Sequence, residues 1–421
     1  MTARLLAGRP VWVVDGARTP FLRSGTGFAD LMSYELGSRA LAGLMIRADV
    51  DPERVDRLIM GTVIQEPRTS NLAREIGLAA GLPQHVPAYT ITAACTSANV
   101  AIQSAMEAIA VGAADVILAG GAETLSDVPI RFSKPVRQRL IASQKARGPA
   151  DYVKLLAGLK PADAMPDTPA IAEFSTGLTM GENAERLAKR YGITREAQDL
   201  YALASHQRAA QATADGKLAD QIVPTPTPPD FVPMAADNGV RGDSTIEKLS
   251  SLSPVYDRKF GTVTAGNASF LTDGAAVCLL MSEEAVKAQG REPLARIVGS
   301  VAVALDPVEE LLLGPAFAIP PLLAAAGITL ADVGVIELHE AFAAQMLANL
   351  HVLEAQCGPI DPAKINAWGG SLAIGHPFGA TGARLVITAA RRMKAENARW
   401  GLVAACAAGA LGHAMLLERN V

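Results

Sequence analysis

Ala93-Ala94-Cys95-Thr96-Ser97 opens a run whose plan decides the fold. From Cys95 onward the sequence reads as a helix over Ser97–Val111, a stop at Gly112, a strand over Val116–Ala119, and then Gly120-Gly121. The same plan returns near the other end of the chain. Gly375-His376-Pro377-Phe378-Gly379-Ala380-Thr381-Gly382 leads into a helix that begins at His376, with Pro377 in its first turn. A strand over Leu402–Ala405 and then Cys406 follow. Two copies of strand, loop, helix and strand imply a duplicated core. Elsewhere, strand-like runs (Val11–Val14, Arg57–Met60, Tyr89–Thr92, Ala295–Val298, Val333–Leu338) alternate with helical stretches (Tyr34–Arg47, Ala341–Glu354). That alternation is the pattern of an α/β fold whose helices cover a sheet. The stretch from about Ser126 to Pro254 breaks it, is rich in Pro and charge, and reads as an inserted loop domain.

At 421 residues the chain can bury two or three cores without disulfide or metal staples. It is half hydrophobic and only 19% charged, which excludes a disordered protein. A net charge of −4 argues against nucleic acid as a partner. The four cysteines, Cys95, Cys278, Cys357 and Cys406, form no CxxC pair and no secreted framework. Arg4 and Arg9 bracket too short an apolar stretch for a signal peptide. Leu311–Leu330 lacks charge but is broken by Gly314, Pro315, Pro320 and Pro321; Trp400–Leu417 is Gly-rich and carries His413. Both read as core segments, not membrane spans. The expectation is a soluble, cytoplasmic protein.

Cys95 follows a strand and stands at a helix start, where free N–H groups and the helix dipole favour an anion. A lowered thiol pKa and a nucleophile are expected there; the bland alternative is a small buried hydrophobe. Cys278, inside the strand-like Ala275–Met281, and Cys357 read as structural. The glycines around His376 invite a phosphate-loop reading, but Ala383 and Arg384 stand where Lys and Ser/Thr are needed. His376 is then either a packed loop histidine or a base. His339, in His339-Glu340-Ala341-Phe342, follows the strand ending at Leu338. Cys406 opens Cys406-Ala407-Ala408-Gly409 after the strand ending at Ala405. All four fall on one edge, where open α/β sheets bind ligands. Zinc is the other use for two Cys and two His, but no pair has finger or HExxH spacing, so no metal is expected.

These motifs resemble the thiolases over nearly the whole chain. Gly16-Ala17-Arg18-Thr19-Pro20 looks like the family's opening, and Cys95 matches its acylated cysteine. Gly375–Gly382 matches GHPxGATG, Cys406–Gly409 matches CxxG, and Gly261–Gly274 matches the segment returning from the loop domain. His339 stands where most members carry Asn. That HEAF form, with Glu173-Phe174-Ser175-Thr176-Gly177-Leu178, is similar to the β-subunits of trifunctional fatty-acid oxidation complexes.

The resemblance implies two duplicated βαβαβαββ halves in a five-layer α-β-α-β-α core with an inserted loop domain. Residues 1–125 with 255–290 would form the first half, 126–254 the loop domain, and 291–421 the second half. It implies 3-ketoacyl-CoA thiolase activity through acyl-Cys95, with His376 as base, Cys406 as proton shuttle and His339 at the thioester oxygen, Glu340 behind it. Cys95 and Ala408 amides would form an oxyanion hole. Ser269 and Met180 would line the CoA tunnel, Arg241 would lie near the CoA nucleotide, and Phe342 and Gly409 would support the site. CoA is then a substrate, and no cofactor is required. A condensing enzyme of the same superfamily is the first rival, opposed by Cys406; a catalytically silent scaffold subunit is the second.

Partners implied are a homodimer or homotetramer and an α-subunit bearing hydratase and dehydrogenase activities. Arg131, Lys134, Arg137, Arg139, Lys145, Arg147, Lys154 and Lys160 face a single acid, Asp151, within 131–160. Val136, Leu140, Ile141, Tyr152, Val153, Leu155, Leu156 and Leu159 lie between them. That interleaving reads as a docking surface for an acidic partner or an anionic membrane, or as a lid that attracts CoA phosphates.

Overall fold

Leaving aside one-turn helices and the shortest strands, the first half of the chain runs βαβαβαββ. Its elements are β1 (Val11–Arg18), α1 (Ser33–Arg47), β2 (Arg57–Gly61), α2 (Leu72–Ala79), β3 (Ala88–Ile91), α3 (Ser97–Ala110), β4 (Val116–Glu123) and β5 (Thr272–Ser282). The computed structural model describes residues 5–167 and 172–420; Arg4 and the Leu156 side chain fall outside them. Between β4 and β5 the chain leaves the sheet and forms α4 (Lys134–Ser143), α5 (Pro149–Leu156), α6 (Met180–Arg190) and α7 (Arg195–Ala214). The second half follows with β6 (Ala295–Ala304), α8 (Gly314–Ala326), β7 (Val335–Leu338), α9 (Ala343–Cys357), α10 (Thr381–Ala395), β8 (Trp400–Ala407) and β9 (Leu411–Glu418). Its third strand is reduced to one parallel bridge between Ile336 and Ile365.

The strands order as β3-β2-β4-β5-β1-β6-β9-β8-β7, so the two halves mirror each other about the β1–β6 pairing. β2 runs parallel to β3 and β4, and β7 runs parallel to β8; the remaining pairs are antiparallel. Among the described residues, the sheet pairing between the halves runs over Val11–Val13 and Ala295–Ile297. β4, β5 and nearly all of β8 are buried, as continuous apolar runs covered on both faces require.

Three buried clusters define five layers. α1 and α2 cover the outer face of the first half, α8 and α9 that of the second, and α3 and α10 lie between the two sheets. A helix buried on every side must be apolar or fully paired. α10 meets this with Val386, Ile387 and Ala389 and with ion-paired Arg384 and Arg392. α3 and α10 touch so closely that a Cβ at Gly382 would sit 2.0 Å from Asn99 Oδ1 and 2.7 Å from the Asn99 amide nitrogen.

Several boundaries differ from the sequence reading. α3 starts at Ser97 and α10 at Thr381, so Cys95 and His376 lie in the turns before them, and Pro377 is outside the helix. Cys406 lies inside β8, not after it. β4 continues through Gly120-Gly121, which stay in the ladder with β2 and β5; glycine is needed at 121 because a Cβ there would strike the Gly379 carbonyl at 1.8 Å. Trp400–Leu417 is the β8–β9 hairpin, and Leu311–Leu330 contains α8 with Pro320 and Pro321 inside it. No described helix is long and apolar enough to cross a membrane.

Gly382→Ala should lower the denaturant midpoint, at a cost of about 1–3 kcal/mol for overpacking. An unchanged midpoint would show that α3 and α10 can separate freely.

Candidate active site

Duplication places Cys95 and His376 equivalently, each in the turn before a central helix, and the packing of α3 on α10 brings the turns together. The Cys95 turn is tight. Ala94 has φ +47°, the Ser97 hydroxyl donates to the Ala94 carbonyl (2.6 Å), and that of Thr96 donates to the Ala93 carbonyl (2.8 Å). A non-glycine residue held in this region marks a constrained site. His339 follows β7 directly, so the end of that strand aims it at the same place. Ligating atoms of Cys95, His339 and His376 lie within 4.8 Å of one another. The two imidazole centroids are 4.0 Å apart. Cys406 is near enough for the charge of Cys95 to raise its pKa. All four singled-out residues therefore meet.

Each group is held from behind. His376 Nδ1 lies 2.6 Å from Thr381 Oγ1, whose hydroxyl donates to the Pro377 carbonyl (3.0 Å). His339 Nδ1 lies 3.1 Å from Ser371 Oγ. Both Nε2 atoms are buried without a hydrogen-bond partner, facing where a reacting group would sit. Glu123 accepts from the amides of Val63, Ile64 and Gly379, each at 2.9 Å, and so ties the His376 loop to the end of β2. Glu173 accepts from the Gly409 amide (2.7 Å), anchoring the CxxG turn to the inserted segment.

The electrostatics correct one expectation. Cys95 is not acidified by the helix end; burial pushes its thiol up to about 12, although the amides of Ala408 and of Cys95 itself favour the thiolate. Cys406 is raised as well, first by burial and then by Cys95. Burial and then Arg384 depress His339 to about 3; burial, then His339 and Arg384, hold His376 well below its ordinary value. The resting site is two thiols beside two neutral imidazoles. Glu340 does not back His339: its carboxylate accepts from Tyr201 (3.2 Å), Ser205 (2.7 Å), Asn366 (2.6 Å) and the Leu372 amide (3.2 Å), clamping α7 to the loop before α10.

Met180, at the start of α6, packs against the apolar cluster that contains Phe342 and Cys406. The Ser269 amide donates to the Ala341 carbonyl (2.9 Å). Arg241 belongs to a cationic group with Arg23 and His206, residues far apart in the sequence. Its amide donates to His206 Nδ1 (3.2 Å), and Arg241 and Arg23 help burial depress His206 to about 4. Thr381 lay within the quoted glycine motif, whereas Ser371, Glu123 and Arg23 carried no local signal.

The buried histidines predict an acid limit. His206, His339, His376 and His413 all have folded pKa values below the unfolded value of about 6.5. The unfolded chain then binds more protons, so their contribution is complete above about pH 6.5 and is lost as pH falls through about 4 and then 3. Glu123, raised by burial to about 7, acts in the opposite sense. His413→Gln should flatten the loss of urea stability between pH 6.5 and 4; an unaltered slope would remove His413 from this account.

The chain matches the thiolase N-terminal domain model over residues 11–284 and the C-terminal domain model over 291–419. It is 46% identical to the mitochondrial trifunctional enzyme subunit beta of Bos taurus, over 97% of this chain and 88% of that one. It is 43% identical to a 3-ketoacyl-CoA thiolase of Citrobacter koseri, over 98% and 97%. The crystal structure of human mitochondrial 3-ketoacyl-CoA thiolase in complex with CoA superposes with a TM-score of 0.87 at 33% identity, covering 100% of both chains. With its paired domain models, mirrored halves and a thiol–imidazole centre between them, this chain belongs to the thiolase family.

Proposed function

We propose that this chain is a 3-ketoacyl-CoA thiolase, cleaving a 3-oxoacyl-CoA with CoA into acetyl-CoA and a shortened acyl-CoA. The observation that carries the reading is the meeting of Cys95 with a neutral His376 whose Nε2 is free, beside a second thiol, Cys406. A thiol at about 12 is a poor nucleophile until a base removes its proton. His376 takes it through Nε2, and the thiolate attacks the 3-keto carbon. The Cys95 and Ala408 amides receive the charge on that oxygen. The C2–C3 bond then breaks, and its electron pair passes to an acetyl-CoA enolate. His339 donates to the enolate oxygen while Cys406 protonates its carbon. Cys406 then deprotonates incoming CoA, whose sulfur attacks acyl-Cys95; the Cys95 sulfur leaves as a thiolate and takes back the proton held by His376, which resets both groups. Met180 and Ser269 line the CoA path, with Arg241, Arg23 and His206 at its nucleotide end. No step needs a metal.

Cys95→Ala should abolish acyl-enzyme and lower thiolysis by several orders of magnitude. Cys406→Ala should slow both directions while Cys95 remains alkylatable. An acylated peptide mapping to Cys406 would reverse the two assignments.

We place the inserted segment at a partner surface and the enzyme in a reducing compartment, the cytoplasm, which suits four free thiols. The open edge at β3 offers a ladder for a second copy in a dimer or tetramer. α4 buries no residue, and Ile141 and Val153 are 67% and 69% exposed among the basic side chains. An acidic α-subunit that hands over the 3-oxoacyl-CoA fits this surface. Arg139 serves as a strut, donating to the Leu155 and Ala157 carbonyls, and is best left intact. Replacing Lys145, Arg147 and Lys154 with Glu should weaken association with a hydratase/dehydrogenase subunit, and wild-type association should fall as salt rises. Loss of binding to anionic vesicles alone would make the surface a membrane contact. Loss of short-substrate turnover with assembly intact would make it part of the CoA site.

A further inference from the structure

The proposed chemistry gives both imidazoles work at Nε2, but opposite work: His376 must accept a proton there, and His339 must present one. Both rings are neutral, so each carries a single N–H, and its position decides what the ring can do. For His376 the answer follows from Thr381. Thr381 Oγ1 lies 3.0 Å from the Pro377 carbonyl, which also accepts from the Ala380 and Thr381 amides, and 2.6 Å from His376 Nδ1; with the hydroxyl hydrogen on the carbonyl, the oxygen accepts from His376 Nδ1–H. The lone pair is left at Nε2.

For His339 the partners are different. Ser371 Oγ lies 3.1 Å from His339 Nδ1 and 3.1 Å from Arg384 Nη2. A guanidinium can only donate, so the serine oxygen accepts from Arg384. Among the described residues, the remaining acceptor for the Ser371 hydroxyl hydrogen is His339 Nδ1. The reverse arrangement would aim two donors at one oxygen and bury a hydroxyl hydrogen without an acceptor, a costly defect. Nδ1 is therefore the acceptor, and Nε2 keeps its hydrogen.

We propose that Arg384 and Ser371 are positioning residues that hold His339 as an Nε2–H donor, while Thr381 holds its neighbour His376 as an Nε2 acceptor. The two rings are thus opposite tautomers, and one turn of α10 sets both, since Thr381 and Arg384 are three residues apart on one helix face. Arg384 cannot drift. It is fully buried and reaches Glu337 (3.4 Å), which lies in β7 two residues before His339 and is held again by Arg392 (2.8 Å). The arrangement also bears on the grouping of Cys95, His339 and His376 within 4.8 Å. A ring nitrogen that carries hydrogen has no lone pair for a metal, so this proton pattern offers two ligands, not three.

The inference deepens the thiolase reading and rests on it, so the test reads the tautomers apart from turnover. The full-length protein, labelled with ¹⁵N-histidine and assigned with His→Gln variants, would be observed by long-range ¹H–¹⁵N correlation. Hydrogen is expected on Nε2 of His339 and on Nδ1 of His376. Ser371→Ala should move the His339 signals toward a tautomer mixture and leave those of His376 unchanged. It should lower kcat about tenfold or more, toward the cost of losing one oxyanion donor, with KM and the iodoacetamide reactivity of Cys95 little changed. Ser371→Thr, which keeps the hydroxyl, should restore both signals and rate. The same tautomer in both rings of the wild type, a measurement that needs no variant to fold, would overturn the proposal. So would His339 signals indifferent to Ser371→Ala. Opposite tautomers in a protein that does not thiolyse 3-oxoacyl-CoA would sink the thiolase reading and spare the relay.

Discussion

The contact between α3 and α10 is the constraint on which the rest of the molecule depends. Two helices buried between two sheets can approach closely only where a side chain is missing, and Gly382 against Asn99 is that place. The turns entering those helices carry Cys95 and His376, so the distance between nucleophile and base is set by helix packing and not by the loops themselves. Close packing resists small displacements, which suits a proton transfer that works only over a hydrogen-bond length.

Buried carboxylates then hold the surroundings in place. Glu123 gathers three amides from two loops, Glu340 fastens α7 to the loop before α10, and Glu337 fixes two arginines of α10. None of them faces the thiols as a reactant. Glu123 and Glu340 tie loop backbone into a fixed frame, and Glu337 holds side chains of α10; each accepts several hydrogen bonds at once, the condition under which a buried carboxyl group is tolerable.

The duplication was legible because Cys95 and His376 each precede a helix and then a strand, a local pattern that spacing reveals. The four reactive groups were legible as residues at strand ends and turns, although the helices start later and Cys406 sits within a strand. What spacing could not show was who stands behind each group. Ser371 and Arg384 reach His339 only through tertiary packing, and nothing near Ser371 in the chain announces it. The Cys95 thiol departs from what its helix start implies for a related reason. A helix terminus is worth at most about 2 kcal/mol, and burial between two domains' worth of packing, invisible locally, outweighs it.

The place of β1 has a consequence for synthesis. It lies between β5 and β6, and Arg18 pairs with Ala276, 258 residues later in the chain. At roughly 5–20 residues per second, this strand would leave the ribosome about 13–52 s before its neighbours exist. During that interval an apolar strand with both edges open is in need of cover. The strand is therefore covered only once chain synthesised more than 250 residues later folds back on it, so the first half of the sheet cannot close around β1 during the early part of synthesis.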